Sequence, residues 1–136
     1  MNPVQFLKTY AAALPVFFAV DMVWLGLAAK GFYRSRLSHL LRDQTQWTAV
    51  LAFYLIYIAG IVFFAVRPAV LSGSAGKALL YGVLFGFFTY ATYDLTNLAT
   101  LKDWPLSVTL VDICWGSVLC GSVSTLTFWI VTRLHW

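Results

Sequence analysis

Residues 47–66 read WTAVLAFYLIYIAGIVFFAV, an unbroken run without a charged side chain. A helix of ~20 residues rises ~30 Å, the thickness of a bilayer's hydrocarbon core. The stretch is therefore read as a transmembrane helix, and the fold turns on how many others accompany it. An apolar segment from about Val4 to Ala29 precedes it, interrupted by Lys8 and Asp21. Two more follow, at about Lys77–Thr100 and Leu106–Val131. A cleaved signal peptide fits the first segment poorly, because it is long and carries a mid-segment acid. The expected fold is all-α: one polytopic transmembrane domain, 1–136, with spans at about 4–29, 47–66, 77–100 and 106–131 in an antiparallel up-down bundle. A basic interfacial loop, 30–46, joins the first two.

Composition excludes the alternatives. Of 136 residues, 61% are hydrophobic, 18% aromatic and 10% charged, whereas soluble domains carry about 25% charged residues. Disordered chains lack the aromatic and β-branched residues abundant here. The net charge of +4 comes from Lys and Arg at the ends of apolar stretches, their usual place beside a membrane, so no nucleic-acid partner is expected.

The second and third connections are short enough to make helices two, three and four antiparallel neighbours. Lys30, Arg34, Arg36, His39, Arg42 and Asp43 crowd the first connection, interleaved with Phe32, Tyr33, Leu37, Leu40 and Leu41. That spacing suits a short interfacial helix. The second span is expected to end at Arg67-Pro68, before a turn containing Ser72, Gly73, Ser74 and Gly76. Trp47 and Trp104 mark one membrane interface, and Tyr81, Trp129 and Trp136 the other. Both termini then lie on one side, and the first and third connections on the opposite, loop-bearing side. The basic density of residues 30–42 makes the loop-bearing side cytoplasmic by the positive-inside rule. Gly82 and Gly86 stand four apart, as do Gly116 and Cys120, and Ser117 and Gly121. Such small-residue faces allow close helix approach and suit a homodimer.

The five acids are all aspartates, and three fall inside spans: Asp21, Asp94 and Asp112. An intramembrane aspartate costs ~2.5–3.5 kcal/mol on insertion scales and normally faces the bundle interior or a wet cavity. Counted from the span limits, all three lie ~9–12 Å in from the loop-bearing side. One acidic layer is therefore expected, walled by Trp24, Tyr90, Trp115 and Asn97, with Tyr54 and Tyr57 at the same depth. Packed carboxylates need a shared proton, a basic side chain, a divalent cation or a cationic substrate among them. The structural reading of the same aspartates is that they hydrogen-bond tyrosine and tryptophan donors or cap broken helices.

Other chemistry-bearing motifs are few. Two histidines and no paired metal motif make haem and zinc improbable, and no metal or other cofactor is expected. Cys114 and Cys120 lie ~240° apart around a helix and cannot bridge. Asp21-x-x-Trp24-Leu25 and Asp94-x-x-Asn97-Leu98 form a weak echo between helices one and three, as a duplicated hairpin would.

The run Tyr93-Asp94-Leu95-Thr96-Asn97-Leu98-Ala99-Thr100, followed by Trp104-Pro105 and Asp112-x-x-Trp115-Gly116, resembles the signature of a bacterial family of small four-helix inner-membrane proteins of unknown function. Asp21-x-x-Trp24-Leu25 resembles that family's N-terminal pattern. The resemblance implies a multi-pass protein of the bacterial inner membrane and carries no activity.

The leading functional expectation is a small carrier or channel-like protein, with Asp21, Asp94, Asn97 and Asp112 as a proton- or cation-coupled site. The alternative is a membrane-embedded lipid-binding or lipid-modifying protein, in which Arg34, Arg36 and Arg42 hold an anionic headgroup. A scaffold for a membrane complex is the third class. No residue is assigned a catalytic role.

Overall fold

A computed structural model describes the backbone of residues 1–136 and the side chains of residues 1–28 and 30–136. The first helical run is α-helical over Pro3–Trp24, π-helical over Leu25–Tyr33, and ends in the turn Arg34–Leu37. Its start is closed reciprocally. Asn2 Oδ1 accepts the Gln5 N–H at 2.8 Å, and Gln5 Oε1 accepts the Asn2 N–H at 3.0 Å. Pro3 follows, at a position where a missing donor costs nothing. Gly26 and Gly31, poor helix formers, fall where the α pattern widens. The interfacial helix expected within 30–46 is thus only partly present. Residues up to Leu37 prolong the first helix, and 41–46 are irregular.

The second helix comprises Trp47–Ile61, a π-helical stretch Val62–Val66 and Arg67–Ser72. It does not stop at Arg67-Pro68 as expected. The Arg67 N–H reaches back five residues to the Val62 carbonyl, and this wider turn accommodates Pro68, which has no N–H to give. The helix ends instead at Gly73, whose φ of +62° is the left-handed cap that glycine adopts without strain. Ser74 Oγ then accepts the Lys77 N–H at 3.2 Å and opens the third helix, Ala75–Thr100. The fourth helix is Leu106–Arg133.

Four helices are long and apolar enough to cross a membrane: Pro3–Ala28, Trp47–Ser72, Ala75–Thr100 and Leu106–Arg133. The fold is all-α and polytopic. Contact pairs run antiparallel between neighbours: Trp24 with Trp115 and Arg36 with Ser107 for helices one and four, Tyr57 with Thr89 for two and three. Helices three and four pack closest. A Cβ on Gly86 would run into the Gly116 carbonyl, and one on Gly82 would come within 2.5 Å of the Cys120 carbonyl oxygen. The small-residue faces that suited a homodimer are therefore spent inside the chain.

Packing is uneven along the membrane normal. From the bundle's middle to the side bearing the termini, Ala13, Ile58, Ile61, Val62, Val66, Leu119 and Val123 are fully buried. Towards the loop-bearing side, the second helix is loosely held. Between Trp47 and Ile56 only Val50 and Tyr54 are even half-buried. The aspartates lie in this looser half.

Candidate functional site

The first and fourth helices each carry Asp-x-x-Trp: Asp21 with Trp24, and Asp112 with Trp115. The two indoles stack between the helices, centroids 4.5 Å apart and planes 6° from parallel. In each helix the aspartate stands one turn N-terminal to its tryptophan, and the helices run antiparallel. The two carboxylates consequently lie on opposite sides of the indole stack along the helix axes.

Each carboxylate has a phenol. Tyr54, from the second helix, donates to Asp21 Oδ2 at 3.0 Å. Tyr33, from the end of the first helical run, donates to Asp112 Oδ1 at 2.9 Å and accepts the Trp24 Nε1–H at 3.2 Å. Burial first, and then the Asp112 carboxylate, push the Tyr33 phenol above its ordinary range, so it stays a donor. The Trp115 Nε1–H is buried near Asp21 but has no partner in hydrogen-bond geometry.

Asp94, on the third helix, is fully buried, and neither of its carboxyl oxygens receives a donor. Its carboxyl faces that of Asp112 within hydrogen-bonding reach. The single three-carboxylate layer expected from depth is therefore divided into an Asp94–Asp112 pair and a separate Asp21. Depth along each helix fixed the level, but the stacked indoles interpose between the two groups. Among the described residues no three metal-capable side chains come together.

Two cavities flank the second helix. One of about 650 Å³ lies between helices one and two, with Asp21, Trp24, Tyr33, Tyr54, Asp112 and Trp115 at its inner end. Its outer wall is apolar, from Phe18, Met22, Leu41, Trp47 and Leu51. The other, about 570 Å³, is bounded by Phe53, Tyr57, Thr89, Tyr90, Tyr93 and Asp112. Phe53, Tyr90 and Asp112 line both. Tyr57 belongs to the next layer, bonded to Thr89 Oγ1 at 2.8 Å and Cys120 Sγ at 3.1 Å.

The remaining expected residues scatter. Asn97 is half-buried beyond Asp94 and lines neither cavity. The three arginines form no cluster. Arg34 lines the first cavity, Arg36 donates to Ser107 Oγ at 3.1 Å with its guanidinium 4.2 Å from the Phe32 ring centroid, and Arg42 donates to Gln46 Oε1 at 3.0 Å. His39 reaches the Asp103 carbonyl at 3.1 Å and so ties the first connection to the third. Tyr33 was missed because it reads as part of the polar connection.

These features describe an all-α membrane protein of four candidate spans, with buried polar side chains and two cavities in one half of the bundle. The chain belongs to a family of predicted membrane proteins, DUF2177, whose model matches residues 6–129. No curated protein and no solved structure matches it.

Proposed function

We propose that this protein binds an amphipathic, lipid-like molecule taken sideways from the leaflet on its loop-bearing side. The observation that carries the reading is the cavity between helices one and two: mostly apolar at its outer wall, with two carboxylates and two phenols at its inner end and Arg34 and Thr45 where it meets the first connection, beside a helix half that packs loosely. Ligand sites in bundles have this character, mostly apolar with a few convergent polar groups. Carboxylates accept hydrogen bonds, so the ligand's inner end carries a hydroxyl or amine, facing Asp21 and Asp112. Arg34 on the cavity wall suits a neighbouring anionic group. The reading extends to an inner-membrane location with the basic connection on the cytoplasmic side, where Lys and Arg concentrate.

A proton- or cation-coupled carrier has less support. Its three carboxylates divide into two groups, and buried, mostly apolar side chains fill the half of the bundle beyond them. Native mass spectrometry of protein extracted in nanodiscs tests the proposal. Wild type is expected to retain an adduct of lipid mass, and Leu51→Trp, which fills the cavity, to lose most of it. Absence of any adduct from wild type, or equal retention by a folded Leu51→Trp, overturns it.

A further inference from the structure

Asp94 is the one buried acid here whose carboxyl oxygens receive no donor. It sits on the third helix at 0% exposure, and no basic side chain lies against it among the described residues. What it faces is a second carboxyl, Asp112. An ionised carboxylate in this position would be desolvated, unbonded and next to a like charge, each of which is costly in a low-dielectric interior. A proton on either member converts two repelling acceptors into a donor and an acceptor.

The partners decide which member carries the proton. Asp112 already accepts from Tyr33 at 2.9 Å and lines both cavities, where a ligand or water can solvate it. Asp94 has neither advantage. The titratable groups around the pair are Asp21 and Tyr33 from the first helical run, Tyr54 and Tyr57 from helix two, and Tyr90 and Tyr93 from helix three. None of these supplies positive charge. Arg34 shares the first cavity with Asp112.

We propose that Asp94 and Asp112 form a one-proton acid–base pair in which Asp94 is the carboxylic acid, donating to Asp112, and Asp112 is the carboxylate presented to both cavities. The pair thus offers a ligand one negative charge and one proton held in reserve behind it. A cationic or hydroxyl-bearing group meeting Asp112 releases its own hydrogen bond towards that carboxylate. If the ligand gives up a proton, Asp112 receives it, and Asp94 keeps its own. This inference stands on the pair itself and goes beyond the binding reading above.

Infrared spectroscopy of purified protein in an ester-free detergent at neutral pH tests it, with aspartate carrying a ¹³C-labelled side-chain carboxyl to identify the bands. Wild type is expected to show an aspartic-acid C=O stretch that shifts with the label and on transfer to deuterium oxide. Asp94→Asn keeps a donor towards Asp112 and is expected to abolish that band, whereas Asp21→Asn leaves it in place. Absence of the band from wild type overturns the proposal, as does its loss in Asp21→Asn. Should Asp94→Asn fail to fold, persistence of the band in Asp21→Asn and a shift of its frequency in Asp112→Asn support the assignment. An unshifted band in Asp112→Asn overturns it. The readout involves no lipid, so a failure here and a missing adduct in the mass spectrum are separate results.

Discussion

Tyr33 joins the two ends of the indole stack, since its hydroxyl gives a hydrogen bond to Asp112 and takes one from Trp24. Tyr33→Phe removes both and leaves a carboxylate oxygen and an indole N–H without partners, each worth about 1–3 kcal/mol when buried. The variant is expected to melt several degrees lower by circular dichroism in detergent. The same phenol gives a pH dependence. Burial and the Asp112 carboxylate raise it above the ordinary phenol value of 10.0. Its contribution to stability is complete below that value and is lost as pH climbs above it, because the unfolded chain then releases the proton and the folded chain does not. In an alkaline ultraviolet titration, Tyr33→Phe should leave the absorbance change near pH 10 at its wild-type size and remove amplitude only above it. At this scale the sequence was half legible. Asp21, Asp94 and Asp112 stood out because an acid is rare in an apolar span, but Tyr33 looked like one aromatic among many in a polar connection. Only the continuation of the first helix to Leu37 brings it back over Asp112.

Between elements, the tightest constraint is the seam of helices three and four. Gly86 opposes the Gly116 carbonyl, Gly82 opposes that of Cys120, and the Tyr90 ring covers Gly116. Gly86→Ala inserts a methyl group where backbone already stands, so helices must separate, at a cost of about 1–3 kcal/mol or more. Gly26→Ala meets nothing within 4 Å and relieves a helix interior of glycine, a gain of ~0.5–1 kcal/mol where the backbone is helical. Opposite shifts in melting temperature are therefore expected for two substitutions of identical chemistry; equal shifts would mean that the seam is not closed as described. The small-residue spacing was visible in the sequence, but not which surface would use it. One periodic face serves an internal neighbour or a second copy equally well, and only the registry of Gly86 on Gly116 distinguishes them. The end of the second helix was misread for a related reason. Proline ends a regular α-helix, whereas a preceding π turn changes which carbonyl is left without a donor.

Across the whole molecule, the spans and their antiparallel order follow from apolar length and short connections, which is why four helices could be counted before any contact was known. Where the bundle is solid and where it is open could not be counted, since that depends on which faces meet. Ala13, Ile58, Ile61, Val62, Val66, Leu119 and Val123 pack into one fully buried cluster towards the side bearing the termini, and the cavities with their carboxylates lie on the other. A proton or cation entering from the loop-bearing side reaches Asp112 and then faces fully buried apolar packing. The hydroxyls of Thr9, Ser124 and Thr127 are also buried in that half, but neither cavity extends to them, and carrying an ion between such isolated hydroxyls still costs several kcal/mol or more. Reconstituted in sealed vesicles with an interior pH dye, the wild-type protein is expected to leave proton and potassium leak at the level of empty vesicles, under a gradient of either sign. Flux above that level, abolished by Asp94→Asn, would mean that the packed half opens, and would restore the carrier as the better reading. Leak unchanged by the protein, together with a lipid adduct that Leu51→Trp removes, leaves the lateral cavity as the functional opening.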